Sequence, residues 1–142
     1  MKVVVFEPAH LESMRMLTSQ PLSLVKRYAT VYATQGPAFT GIADDGEIIC
    51  CAGLRMLRHG VAEGWAVMSS TMPQHYRWLH RTVKGMLADI IQSCGLRRVQ
   101  ISVDASFTIG CQWADHLGFQ REGLMTRYGP HGEAHWLYAR TQ

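Results

Sequence analysis

The spacing of apolar residues changes several times along the chain of 142 residues. The N-terminal run KVVVFE, from Lys2 to Glu7, is rich in β-branched residues and predicts a strand. Apolar residues then recur at helical spacing in two successive segments. The first repeat consists of Leu11, Met14 and Leu17, and the second of Leu22, Val25, Tyr28 and Val31. Pro21 precedes the second repeat and suits a first helical turn. The pattern predicts one strand followed by two helices.

The middle of the chain predicts a hairpin, a further strand and a long helix. Two apolar runs flank Asp44-Asp45-Gly46, a strong turn signal. The run VAEGWAVMSS, residues 61–70, predicts the fourth strand. Residues 75–95 then carry a broad apolar stripe and end in Gly95, as a helix does. The stripe consists of Trp78, Leu79, Val83, Met86, Leu87, Ile90 and Ile91.

The C-terminal part predicts a strand, a short helix and a final hairpin. Residues 97–105 alternate apolar and polar side chains. Residues 106–118 suit a helix that is capped by Ser106 and ends at Gly118. Two apolar runs then flank the turn Pro130-His131-Gly132. The predicted order is β-α-α-β-β-β-α-β-α-β-β, a mixed α/β (α+β) chain, and without a repeat or linker residues 1–142 are expected to form one domain.

Composition and charge narrow the possible functions. The chain is 47% hydrophobic and 18% charged, with a net charge of +3. Its one local basic group, Arg77, His80, Arg81 and Lys84, is less dense than the basic stripe of most nucleic-acid-binding proteins. A small polyanion such as a cofactor phosphate fits it better. No apolar run approaches the ~20 residues that span a bilayer, and the N-terminus resembles a strand and not a signal peptide. We therefore expect a cytoplasmic protein without nucleic-acid or membrane partners.

The four cysteines do not predict a metal site. Cys50 and Cys51 are adjacent, and Cys94 and Cys111 lie alone. No CxxC pair or His/Cys cluster has zinc-ligand spacing. Buried, reduced thiols are expected, and no metal.

The most specific motif is VDASFTIGCQWADHLGFQREG followed by RYGPHGEAHWLYAR. Three features of this motif follow one another in a fixed order: a strand that ends at Val103, a helix that closes in Leu117-Gly118-Phe119, and a last hairpin from Gly123 to Arg140. In this order of features the chain resembles the GNAT acetyltransferase superfamily. The resemblance implies a mixed central sheet of about seven strands, splayed between strands four and five, with about four helices. It also implies acetyl-CoA in that splay, its pantetheine paired with exposed backbone groups of strand four at Met68 to Ser70.

The family's phosphate loop, Gln/Arg-x-x-Gly-x-Gly/Ala, falls on Trp78, Arg81 and Val83, and none of them matches. Basic side chains can compensate for the missing glycines. Alternatively, the apolar residues here are core and the basic ones a solvated face. Carried over from the family, the residues expected to bind the cofactor are Val67, Met68, Ser69, Arg77, Trp78, Leu79, His80, Arg81, Thr82, Val83 and Phe107, the last standing where the family has an asparagine.

Acetyl transfer to an amine needs a base for the ammonium and an acid for the departing thiolate. Glu63, just before strand four's Trp65, is the best candidate base, and His75 the second; either can equally be a solvent-facing side chain. The family's tyrosine acid falls on Ala114. Tyr128 or Tyr138 can replace it, although a core or rim role is the alternative for each.

Two functions follow from the resemblance. The first is an acyl-CoA-dependent N-acetyltransferase that moves an acetyl group from acetyl-CoA to a small-molecule or protein amine and can assemble as a homodimer. The second is a non-catalytic GNAT-fold binding module or phage virion-associated protein. The departures at Trp78, Arg81 and Ala114 favour the second, because small phage-encoded members show similar simultaneous losses.

Overall fold

The computed structural model describes residues 1–14 and 29–142. Seven strands form one mixed sheet in the order β1-β2-β3-β4-β5-β7-β6. The strands are β1 (Lys2–Val5), β2 (Ala38–Ile42), β3 (Ile48–Arg58), β4 (Val61–Met68), β5 (Arg98–Asp104), β6 (Gln120–Met125) and β7 (His135–Thr141). The helices are α1 (residues 29–34), α2 (Tyr76–Ser93) and α3 (Thr108–His116), and 3₁₀ turns cover Pro8–Leu11 and Met72–His75.

The predicted order of strands is confirmed, and so are the helices α2 and α3. The first predicted helix is represented in the described residues by the 3₁₀ turn Pro8–Leu11. The second is represented by α1, residues 29–34, which includes Val31. The other positions of both repeats, namely Leu17, Pro21, Leu22, Val25 and Tyr28, lie outside the described residues.

The predicted hairpins are also confirmed. β2 and β3 pair antiparallel, and their turn places Gly46 at a φ of 88°, a value that favours glycine. The Ala43 N–H donates to the Glu47 carbonyl at 2.9 Å and closes this turn. At the other end of the chain β6 and β7 pair antiparallel, with Gly132 at a φ of 79° in the connecting turn.

β4 and β5 form the parallel pair that the resemblance implies. Their pairing runs over three positions, Val61–Glu63 against Arg98–Gln100, and β4 continues to Met68. The expectation of an exposed backbone at Met68 to Ser70 is wrong at Ser69. Its side chain is fully buried, and its N–H donates to the Ile49 carbonyl of β3 at 2.9 Å.

The chain divides into two compact units, which are described separately. The first consists of Met1–Met56 and Gly64–Val83. Its core is apolar and draws on the segment after β1, on α1 and on β2 to β4: Phe6, Leu11, Met14, Ala29, Ala38, Ile48, Cys51 and Val67 are buried. Trp65 lies at its edge, where it stacks on Tyr32 at 4.4 Å between ring centroids.

The second unit consists of Leu57–Glu63 and Lys84–Gln142. In it β7 pairs antiparallel with both β5 and β6. Helix α3 has a buried face that includes Cys111, Trp113 and Ala114. Gly118 follows the helix and has a φ of 89°. The predicted cap is wrong: Phe107 occupies the N-cap position, and Ser106, one residue earlier, donates its hydroxyl to Asp104 Oδ1 at 2.8 Å.

Helix α2 continues directly from the 3₁₀ turn Met72–His75. Leu79, Leu87 and Ile91 of its apolar stripe are buried. The helix ends as predicted, because Gly95 takes a φ of 61° and the Leu96 N–H donates back to the Ile91 carbonyl. Among the described residues, no helix is both long enough and apolar enough to cross a bilayer.

Candidate functional site

The junction between β4 and α2 is the predicted anion site, and it has fewer free donors than a helix start usually offers. The first N–H groups of a helix ordinarily lack partners and attract anions. Here the helical run begins after Thr71, and the Met72 N–H donates to the Ser69 carbonyl at 3.1 Å. The Gln74 N–H donates to the Thr71 carbonyl at 3.1 Å, and Pro73 has no N–H. Charge at this junction therefore comes mainly from side chains.

The residues aligned with the family loop lie further along the helix. Because the helical run starts at Met72, the segment Trp78–Val83 begins six residues into it. The Trp78 ring packs on Gly41 of β2, where an added Cβ would lie 3.2 Å from the ring. Leu79 is buried, whereas Thr82 and Val83 are partly exposed. Trp78 and Leu79 therefore have a packing role, and their cofactor contact stays a prediction.

The predicted strand-four residues Val67, Met68 and Ser69 are all buried. Val67 belongs to the core of the first unit. The Ser69 hydroxyl lies 2.8 Å from the Thr71 hydroxyl and so shapes the turn that follows β4. At these three positions only backbone groups can reach a ligand.

The basic side chains of α2 are accessible. Arg77 and Arg81 are exposed and stand one helical turn apart on one face. His80 is partly buried and stacks on Tyr76 at 5.8 Å between ring centroids. These residues form the positively charged part of the junction.

An open cleft of about 450 Å³ lies beside the helix start. It is lined by Met1 and by residues 73–78. Near it, Asp44 bonds the N-terminal ammonium of Met1, and this bond, the ammonium charge and that of His75 hold the pKa of the Asp44 carboxyl below its ordinary value. Since the ammonium already neutralises Asp44, the guanidinium of Arg77 gives the cleft a positive character.

The candidate acids and bases have different surroundings. In the first unit, His75 ends the 3₁₀ turn and lines the cleft. In the second unit, Glu63 of β4 is partly buried opposite Gln100. Tyr128 is 51% exposed, and its ring lies 5.3 Å from that of His135.

Tyr138 is fully buried, and its hydroxyl accepts from Arg121 Nη2 at 2.8 Å. Burial raises the pKa of the Tyr138 hydroxyl, and the Arg121 hydrogen bond only partly opposes this. This environment supports the core role that was the alternative for Tyr138. Ala114, at the position of the family's tyrosine, is likewise buried.

Three of the four cysteines are buried and free, as predicted: Cys50, Cys51 and Cys111. Burial raises the pKa of the Cys51 thiol to about 11. The prediction is wrong for Cys94, which is exposed.

The sequence did not predict a cluster formed by Asp104, Glu133 and His135 in the second unit. One ligand atom from each of these side chains lies within 4.8 Å of the other two. The pairing of Asp104 with His135 across β5 and β7 brings them together. The spacing of these three residues along the sequence does not indicate this contact, because the contact depends on the register in which β5 and β7 pair.

Solved structures share this architecture. A GNAT-family acetyltransferase from Bacillus anthracis matches with a TM-score of 0.72 and 14% identity, covering 98% of this chain and 93% of its own. The chain has the GNAT fold. The ribosomal-protein-S5-alanine acetyltransferase of Vibrio fischeri gives a TM-score of 0.73 at 12% identity, covering 98% and 91% of the two chains. A point mutant of the spermidine N-acetyltransferase of Vibrio cholerae gives 0.71 at 11%, covering 99% and 95%. By sequence, no family model and no curated protein matches.

Proposed function

We propose that residues 1–142 act as one N-acetyltransferase domain that moves an acetyl group from acetyl-CoA to an amine. The observation that carries the proposal is the GNAT fold, which extends over 98% or more of the chain in structures named as acetyltransferases. Those enzymes are named for different acceptors, among them spermidine and a ribosomal protein. The fold therefore supports the reaction class, and the acceptor of this chain stays open.

The junction between β4 and α2 offers a fit for the phosphates of the donor. The cleft beside residues 73–78 is open, and Arg77 on its wall is exposed. Arg81 lies on the same helix face. In our proposal these guanidinium groups bind phosphate oxygens, because few backbone N–H groups are available there to do so.

Acetyl-CoA supplies the activated acyl group as a thioester. The protein's part is to remove a proton from the acceptor ammonium and to return one to the leaving thiolate. We assign the first task to the Glu63 carboxylate, with His75 as the alternative base, and the second to the exposed hydroxyl of Tyr128. All three side chains are at least partly exposed, as proton exchange requires.

A second function is favoured by one specific feature. Ala114 stands at the position of the family's acid and is buried, so this position supplies no phenol. A GNAT-fold protein that binds a ligand or a virion partner without catalysis would need none. The non-catalytic function requires the same fold as the transferase, but it predicts no turnover.

Binding and turnover measurements separate the two functions. Acetyl-CoA at a hundredfold excess over its dissociation constant should stabilise the native state by about 2.7 kcal/mol, measured as a thermal shift. Mass spectrometry of a panel of polyamines, aminoacyl compounds and peptide N-termini should then find an acetylated product. No thermal shift at millimolar acetyl-CoA would refute the transferase. A shift without turnover on any amine would favour the non-catalytic protein.

The assignment of the base has its own test. Glu63→Gln keeps the shape and removes the basicity, so acetyl-CoA affinity should persist while turnover falls about 10²–10⁴-fold. High pH should restore part of the rate, since the free amine needs no deprotonation. Glu12→Gln, at an exposed position, is the control and should leave turnover unchanged. An unchanged rate in Glu63→Gln would transfer the role to His75.

A further inference from the structure

Three potential metal-binding side chains meet at the end of the β5–β7 pair. Asp104 is the last residue of β5, and His135, the first of β7, is its partner in register. Glu133 precedes β7 by two residues. A carboxylate oxygen of each acid and an imidazole nitrogen lie within 4.8 Å of one another, and all three residues are partly buried. The set therefore exists in the folded chain before any ligand arrives.

Neighbouring groups hold both carboxylates in place. Asp104 Oδ1 accepts from the Ser106 N–H at 2.9 Å and from its hydroxyl at 2.8 Å. Glu133 Oε2 accepts from the His131 N–H at 2.8 Å. In each carboxylate one oxygen is thus committed to the protein and the second can turn to a ligand. Outer contacts of this kind orient the ligands of known metal sites.

The negative charges of the two carboxylates are available to a cation. Asp and Glu side chains are ordinarily ionised at neutral pH. Their hydrogen bonds come from Ser106 and from the His131 N–H. In the described residues, no arginine or lysine bonds to either carboxylate.

The hydrogen-bonding capacity of the His135 ring is largely unused. Its Nε2 lies 3.4 Å from Glu133 Oε1, longer than the usual ~2.7–3.2 Å of an N–H···O bond. Its Nδ1 is buried without a partner in the described structure, and the side chain is 16% exposed. Neither ring nitrogen is therefore held by a short hydrogen bond, and Nε2 is the one that faces Glu133. The Tyr128 ring lies against the imidazole, with 5.3 Å between the ring centroids.

We propose that Asp104, Glu133 and His135 together bind one divalent first-row transition-metal ion, with Zn²⁺ as the expected ion. Two ligands at ~2.0–2.1 Å from a tetrahedral zinc are about 3.4 Å apart, which matches the distance between His135 Nε2 and Glu133 Oε1. Imidazole favours zinc and its neighbours over Mg²⁺ and Ca²⁺, which prefer oxygen ligands alone. Water completes the coordination. The proposal does not depend on the transferase reaction.

Calorimetry on the intact chain tests this site. Chelator-treated protein carrying Cys94→Ser, which removes the exposed thiol, is titrated with Zn²⁺ and separately with Mg²⁺. One Zn²⁺ should bind per chain, and Mg²⁺ should not saturate. His135→Ala and Asp104→Asn should each weaken Zn²⁺ binding at least ~100-fold, and Ser106→Ala about 10-fold. His59→Ala, at an exposed turn position, is the control and should bind as the parent does.

A second measurement uses the unsubstituted protein and so avoids any folding defect of the variants. Co²⁺, a paramagnetic substitute for Zn²⁺, should shift or broaden the amide resonances of residues 104, 133 and 135 before those of other segments. Broadening centred on other histidines, or equal Zn²⁺ affinity in the parent, His135→Ala and Asp104→Asn, would overturn the proposal. The same holds if the parent binds no Zn²⁺ at millimolar concentration.

Discussion

Two strand-to-helix junctions in the described residues differ in length, in charge and in the side chains that accept their N–H groups. Between β4 and α2, residues 69–75 intervene and end in the 3₁₀ turn Met72–His75, and the first two turns of α2 carry Arg77 and Arg81. Between β5 and α3 only residues 105–107 intervene, and the strand ends in a carboxylate, that of Asp104. The first junction is basic, and the second is acidic where it meets the β6–β7 turn.

The side chains that accept backbone N–H groups in the two junctions differ in charge. In the first junction the neutral Ser69 hydroxyl accepts the N–H of Thr71, and backbone carbonyls accept those of Met72 and Gln74. In the second the Asp104 carboxylate accepts the N–H of Ser106, and backbone carbonyls accept those of Phe107 and Thr108. A strand followed by a helix is therefore not sufficient for an anion site. What the junction attracts depends on which groups have already taken its N–H donors and on the charges of the neighbouring side chains.

Truncation of Leu79 should cause the largest loss of stability, and comparison with an exposed helix position shows how much of that loss comes from burial. This side chain is 3% exposed in α2, whereas Ile109 in α3 is 50% exposed. Leu79→Ala should lower the free energy of unfolding by about 2–5 kcal/mol, because it leaves a cavity, and Ile109→Ala by less than about 1 kcal/mol. Urea denaturation measures both. Similar losses in the two variants would show that the junction at α2 is loosely packed.

Glycines in the two helices give a second contrast. A Cβ on Gly110 of α3 would lie 2.6 Å from the Phe107 ring, whereas a Cβ on Gly85 of α2 would meet nothing within 4 Å. Gly110→Ala should destabilise by about 1–2 kcal/mol, since overpacking exceeds the gain in helix propensity. Gly85→Ala should stabilise by up to about 1 kcal/mol. Stabilisation by both substitutions would mean that Phe107 moves aside freely.

The sequence predicted elements better than contacts, for a physical reason. Strand alternation, the apolar stripe of α2 and turn glycines such as Gly46 and Gly95 act locally, and their predicted positions were correct. The start of α2 was predicted to within one residue, but the 3₁₀ turn Met72–His75 ahead of it, which Pro73 allows, was not predicted. The Ser106 cap failed because Asp104 competes for the same hydroxyl.

Removing charge from the basic junction should have a moderate effect on ligand affinity. Under the transferase proposal, Arg77→Ala and Arg81→Ala should each weaken CoA binding about 3–10-fold, because exposed charge-assisted contacts are worth at most about 1.5 kcal/mol. Pantetheine, which lacks phosphates, should bind as before, and dephospho-CoA should lie between the two. Arg58→Ala, exposed in β3, is the control in the same titration calorimetry. Equal weakening of all three ligands would indicate a packing change.

The smallest effect concerns the acidic junction and the pH dependence of stability. The folded pKa of Asp104 lies below its ordinary 3.8, so this carboxylate contributes stability that is present above that value and is lost as pH falls through the folded pKa. Asp104→Asn cannot make this contribution at any pH. In metal-free protein, its melting temperature should therefore lie below that of the parent at pH 6, and the gap should narrow as pH falls below about 4. The exposed Asp115→Asn should follow the parent throughout. A gap between Asp104→Asn and the parent that is constant from pH 6 to pH 3 would mean that the Ser106 hydrogen bonds act on the shape of the junction and not through the charge of the carboxylate.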